Sequence, residues 1–150
     1  VPGEVRKVAL RTAMVFADEP GTVYRYLLNL AKFGLGGKVG GGNQMVSWIH
    51  VEDLCRSIDW LIEHDEINGP INIAAPAPLT NKEVMQGFRK LVGRPFGLPA
   101  TKWMAEIGAF FLRTETELIL KSRWVVPTRL QANGFVFKYP EMKHQEWEKR

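Results

Sequence analysis

The feature that most constrains this chain is the alternation of strand-like and helix-like patterning over its first two-thirds. Val5 to Phe16 is rich in Val, Ala, Leu and Met and reads as one or two buried strand pieces around Arg11 and Thr12. After the turn Asp18-Glu19-Pro20-Gly21, apolar residues at Val23, Tyr26, Leu27, Leu30 and Ala31 predict a helix over 22–33, with Gly34 as its stop. Met45 to His50 reads as a strand. Val51 to Glu63 reads as a helix with Leu54, Ile58, Leu61 and Ile62 on one face. Asn68-Gly69-Pro70 punctuates the chain before a short buried strand, Ile71 to Ala74. Thr80-Asn81-Lys82-Glu83 is a capping box that opens a helix with Val84, Phe88 and Leu91 inward and Gly93 at its end. Strand, helix, strand, helix, strand, helix favours an α/β sheet with crossover helices.

The pattern then becomes mostly helical. Thr101 to Leu112 predicts a helix, and Thr114 to Glu117 is a second capping box. Pro127 and Gly134 bracket a short helix, Phe135 to Lys138 alternates like an edge strand, and a polar terminal helix carries Trp147. The division expected is therefore 1–78 for the sheet-forming region and 79–150 for the helical one.

Composition narrows the function classes. With 150 residues, 45% of them hydrophobic, the chain can build a core. The net charge of +4 is spread rather than striped, which argues against a nucleic-acid surface and leaves room for a small anionic ligand. Cys55 is the one cysteine, which fits a reducing cytoplasm, and its apolar helical setting predicts a small core residue. No run approaches the roughly 18 apolar residues of a membrane span. His50, His64 and His144 lack metal-ligand spacing, so no metal is expected. The opening Val1-Pro2-Gly3-Glu4 has neither a starter Met nor a secretory pattern and reads as the start of a fragment.

Several residues invite a functional reading. Gly34 to Gly42 holds six glycines in nine positions, but Val39 and Met45 stand where a dinucleotide fingerprint needs its third glycine, and helix precedes strand. The loop is either a mobile surface turn or a substrate-side loop with Lys38 near an anion. Tyr139 and Lys143 match the bare Tyr-x-x-x-Lys of short-chain dehydrogenases, yet Pro140 places Tyr139 at or before a helix start, so the pair is a decoy. His50 reads as a capping or packing imidazole or a substrate contact. Asp53 suits the helix N-terminus. Trp48 suits the core, with Ser47 on the opposite face. Arg11 within an apolar strand needs a partner, in a salt bridge or an anion.

Ser47-Trp48-Ile49-His50-Val51-Glu52-Asp53-Leu54 resembles the I-H-V-x-D-L segment of extended short-chain dehydrogenases/reductases. The preceding Gly34-Leu35-Gly36-Gly37, Gly40 and Gln44 are similar to the NAD-dependent epimerase/dehydratase-like branch, which ends in a domain of unknown function. Gly69 to Pro76, Val125 to Leu130 and Gly134 to Pro140 fit that branch as well, so the resemblance runs along the whole chain. It implies the C-terminal portion of a Rossmann-type α/β fold with a mostly helical C-terminal segment. The half that binds NAD or NADP and carries the catalytic Tyr and Lys lies in a parent protein or in a chain acting in trans. No catalytic residue falls on this sequence, no tight cofactor binding is expected of it alone, and the cofactor-binding residues are elsewhere.

Carried over residue by residue, the resemblance puts Arg11 and Thr12 near the nicotinamide end. It puts Lys38, Gln44, Ser47, Trp48 and His50 on the wall facing a small-molecule substrate. The chain departs from classical sugar-nucleotide epimerases, where Arg-Asp-Tyr precedes Ile-His-Val. Val46-Ser47-Trp48 stands there instead, and valine cannot hold a diphosphate. The expected role is the substrate side of an epimerase- or oxidoreductase-like protein. The alternative is a non-catalytic module that pairs with a separate Rossmann half or senses a small ligand.

Overall fold

The computed structural model describes residues 5–99 and 121–142. The helix over 101–112, the second capping box, Lys143, His144 and the terminal helix lie outside the described residues.

The first extended run breaks into two strands, β1 (Val8–Thr12) and β2 (Met14–Phe16), with the interruption at Ala13. They are followed by α1 (Val23–Lys32), β3 (Met45–Val46), β4 (Trp48–His50), α2 (Val51–Glu63), β5 (Gly69–Ile73), β6 (Leu79–Thr80), α3 (Asn81–Leu91) and α4 (Thr128–Ala132). β1 pairs with β5 in parallel, Leu10 opposite Ile71, and β2 pairs with β4 in parallel, Val15 opposite Ile49. The short β3 and β6 pair antiparallel. Parallel neighbours joined through helices are the crossover pattern of an α/β fold. Across the Ala13 break, the Ala13 N–H donates to the Ile73 carbonyl and the Met14 N–H to the Ser47 carbonyl. The chain therefore passes from one strand partner to the next at that point.

Strand alternation in β4 divides the core. Trp48 enters a cluster with Phe16, Tyr24, Leu27, Met85 and Phe88. Ile49, its neighbour, enters a second cluster with Leu61, Ile71, Ile73, Leu130 and Phe137. α3 shares the first cluster with α1, so residues beyond 79 are built into the core of the sheet-forming region.

Local signals set the helix ends. The Thr22 hydroxyl accepts from the Arg25 N–H at the start of α1, and Gly34 follows its end at φ +81°. Thr80 and Glu83 form the full capping box at α3, and the Thr80 N–H and hydroxyl hold the Glu83 carboxyl below its ordinary range. Arg6 serves the far end of α2. Its guanidinium donates to the carbonyls of Leu61, His64 and Ile67, groups that a helix terminus leaves open.

Burial corrects several expectations. β1 is not a buried strand: Ala9 to Thr12 are exposed, Leu10 at 41%. Arg11 is accordingly exposed in this chain and not a buried guanidinium within it. On α2 the buried face runs through Asp53, Ser57 and Leu61, whereas Ile62 is 64% exposed and Cys55 is exposed rather than core. The glycine loop lies only partly on the surface. Gly36, Gly37, Val39 and Gly42 are buried, and a Cβ on Gly37 would stand 2.6 Å from the backbone of Leu98. The Val39 N–H is held by the buried Asn81 side chain at 2.8 Å.

Residues 135–138 form no strand, although the alternation itself survives. Phe135 and Phe137 are buried while Val136 is 73% exposed. Their backbone is held by a side chain instead. Asp53, fully buried, accepts the Lys138 N–H at 2.9 Å on one oxygen and the Tyr139 N–H at 2.7 Å on the other. Arg56 donates to the first oxygen at 2.6 Å and balances the charge. Asp53 thus does more than favour its own helix N-terminus.

Removing one member of a buried, fully bonded charge network leaves the others unsatisfied. Asp53→Ala is expected to cost on the order of 3 kcal/mol or more. Urea denaturation of the two proteins checks this, and a loss within the ±0.5 kcal/mol of ordinary surface changes would show that the clamp is not structural.

Candidate functional site

The Ala13 break and the interruption between β3 and β4 lie side by side, and the space between them is a cavity of about 300 Å³. Its floor is apolar, formed by Met14, Val15, Val23 and Met45, with Val46 and Val125 beside them. Thr12 and Ser47 add hydroxyls to the wall, and Lys121 and Arg123 bring positive charge. No carboxylate lines it among the described residues.

The basic residues are placed by a strap, residues 121–126, that runs along β3 and β4. The Arg123 N–H donates to the Met45 carbonyl at 2.9 Å, and the Met45 N–H donates to the Ser122 hydroxyl at 3.0 Å. Ser47 closes the connection. Its hydroxyl donates to the Arg123 carbonyl at 2.8 Å and accepts the Val125 N–H at 2.7 Å. With both roles taken, Ser47 positions the strap and has no proton left for a ligand. The Asn72 amide donates to the Val126 carbonyl, fixing the far end of the strap to β5.

The structure brings Thr12 and Ser47 together at this cavity and places the other expected wall residues elsewhere. Trp48 is wholly buried, its ring 5.8 Å from Phe16 and its indole N–H bonded to the Ala77 carbonyl. Gln44 donates to the Val39 carbonyl and braces the glycine loop. Lys38 is exposed on that loop, and Arg11 is exposed on β1. Lys121 and Arg123 went unnoticed in the sequence. The available signal was a basic pair directly ahead of the Val125-to-Leu130 segment.

His50 caps α2. Its Nδ1 accepts the Glu52 N–H at 3.1 Å, and its ring lies 3.9 Å from that of Tyr139. The Tyr139 hydroxyl donates to Glu52 at 3.1 Å, and the Lys138 ammonium donates to the other Glu52 oxygen at 2.6 Å. Tyr139 is thus engaged with α2. The Lys138 hydrogen bond above all, with that of Tyr139, holds the Glu52 carboxyl below its ordinary range; Glu52 in turn raises Lys138. A second hollow of about 450 Å³ lies beside His50, Glu52 and Cys55. Among the described residues no group of His, Cys, Asp and Glu is arranged to hold a metal ion, and no helix is long and apolar enough to cross a membrane.

Comparison with known proteins agrees with the α/β architecture. The family described as "Domain of unknown function (DUF1731)" matches residues 100–144. Epimerase family protein ML0860 of Mycobacterium leprae is 35% identical over 136 residues, covering 89% of this chain and 43% of the relative. The crystal structure of human epimerase family protein SDR39U1 (isoform 2) with NADPH superposes with a TM-score of 0.83 at 30% identity, over 99% of this chain and 50% of that one. UDP-glucose 4-epimerase of Thermus thermophilus, solved with NAD, shares the fold at a TM-score of 0.64 and 15% identity, over 92% and 43%. The chain spans about half the length of the curated relatives it matches.

Two outcomes are expected from these contacts. Ser47→Ala strands the Val125 N–H and should cost about 1–3 kcal/mol, with new amide positions for 123–125 in NMR spectra; unchanged spectra would contradict the brace. Glu52 titrates lower in the folded chain than in the unfolded one. Its stabilisation is therefore complete above the unfolded value of about 4.3 and is lost as pH falls through the folded value. Glu52→Gln should flatten the acid-side fall of the melting temperature seen by circular dichroism.

Proposed function

This chain belongs with the epimerase family proteins, the extended short-chain dehydrogenase/reductase branch that ends in the domain of unknown function, and on that premise we propose that it is the substrate-side half of an NAD(P)-dependent epimerase- or oxidoreductase-like protein. The observation that carries the reading is β1. All-parallel sheets occur almost only with both faces covered. Here β1 has a single strand partner among the described residues, and Ala9 to Thr12 lie exposed along it. A dinucleotide-binding half that extends the sheet from β1 would cover these residues and bring its cofactor to Thr12 and the cavity beside it.

The glycine loop is not arranged as a dinucleotide cradle. The glycine loop is filled by its own neighbours: Gly37 donates its N–H to the Leu98 carbonyl, and Leu98 donates to the Gly34 carbonyl. A Cβ on Gly97 would already stand 2.5 Å from the Gly36 backbone, which leaves no room for a pyrophosphate. On this reading the cofactor belongs to the other half. That the human relative was crystallised with NADPH supports a nicotinamide cofactor for the assembled protein. Hydride exchange between nicotinamide and a carbinol or carbonyl carbon is the chemistry expected of the assembled protein.

The test is to mix this chain with the N-terminal half of the Mycobacterium leprae relative. Light scattering should show a one-to-one complex, and NADPH fluorescence should saturate with the complex but not with this chain alone. Saturation by the isolated chain, or no association, would overturn the proposal.

A further inference from the structure

The cavity beside Thr12 has a charge pattern that says more about its ligand than its location does. Its lining carries Arg123 and Lys121 at one end, Thr12 at another, and an apolar floor between them. Among the described residues no carboxylate forms an ion pair with the Arg123 guanidinium. The Arg123 backbone is fully committed, its N–H to Met45 and its carbonyl to Ser47. The residue is thus held at the cavity by a fixed backbone. Val46 lines the same cavity. At the position where sugar-nucleotide enzymes carry an arginine, this chain has a valine, and its positive charge arrives from the strap instead.

We infer that this cavity takes a small organic oxyanion: a carboxylate or phosphate gripped by Arg123, and an apolar body against Met14, Val23 and Val46. This rests on the reading of the cavity as the substrate side. Two features select that class. Guanidinium binds planar oxyanions through paired hydrogen bonds, and such charge-assisted bonds are the strong ones. A volume of about 300 Å³ sits at the small end of ligand pockets, which suits a compact acid. The carbinol or carbonyl carbon of such a ligand would lie toward Thr12, whose strand leads to the open edge of β1. Arg123 is then a specificity residue of the substrate site, contributed from outside the strands that the family resemblance singles out.

The experiment uses the ¹⁵N-labelled chain by itself, titrated with cyclohexanecarboxylate and with its neutral isostere cyclohexanecarboxamide. The carboxylate should produce saturable shifts at the amides of Thr12, Ser47 and Arg123, and these should weaken as salt rises. The carboxamide should bind on the order of tenfold more weakly. Arg123→Gln should lower carboxylate affinity by a similar factor and leave the carboxamide unaffected. Arg123→Lys should fall between, because it keeps the charge and loses the fork. Unperturbed far-ultraviolet circular dichroism is expected for both variants, since Arg123 fastens the strap through its backbone and not through its side chain. Equal affinity for acid and amide, shifts that cluster away from the cavity, or an Arg123→Gln protein that binds the acid as well as the parent would overturn the inference. These readouts need no second half. Failure here with a formed complex removes only the oxyanion assignment, whereas saturable binding with no complex upholds it and removes the pairing.

Discussion

The buried carboxylate of Asp53 is the constraint on which the later chain depends. It lies in the first turn of α2, yet its oxygens are occupied by backbone N–H groups 85 and 86 residues further on. A charge in the core is tolerable only with its lone pairs filled and a counter-ion near. Arg56 supplies the counter-ion, and Lys138 and Tyr139 supply the donors. With that clamp set, Phe135 and Phe137 fall into the cluster beneath α2 and β5.

The same segment is fastened at intervals along its length. Arg129 donates to the carbonyls of Asn68 and Pro70 at the start of β5. Asn72 takes the Val126 carbonyl, and Ser47 holds the chain between Arg123 and Val125. These are hydrogen bonds from side chains to backbone rather than a strand ladder. They let the strap follow β3 and β4 without extending the sheet, so the gap beside Ala13 stays open. A continuous sheet edge there would have closed the cavity.

Much of this frame was legible in the sequence. The bounds of α2, the Thr22 and Thr80 starts and the Gly34 and Gly93 stops follow from capping chemistry, which is local and acts within one turn. Burial was less legible because it depends on distant partners. The α2 stripe through Ile58 and Ile62 matches helical spacing as well as the stripe through Asp53, Ser57 and Leu61 does. Only the arrival of residues 135–139 decides that the polar Asp53 turns inward. Phe135 to Lys138 shows the converse. Its period of two correctly separates buried from exposed side chains, but period alone does not reveal that the ladder is replaced by a carboxylate. The cavity was half legible. Thr12 and Ser47 were marked by resemblance, while Lys121 and Arg123 join them through contacts more than 70 residues apart in sequence.

These features bear on how the two faces of the molecule divide their work. β4 sends Trp48 to one core and Ile49 to the other, so both sides of that strand are filled. β1 has neither protection over Ala9 to Thr12. A buried polar wall on one side and an exposed parallel strand on the other place the cavity at the boundary between finished and unfinished surface. Ligands favour such boundaries in α/β folds, where strand ends open a crevice. The charge at the cavity comes from the strap and the hydroxyl from β1. A ligand there would touch the strap and the exposed strand β1. If the proposed half completes the sheet at β1, binding and completion would stabilise one another through Thr12.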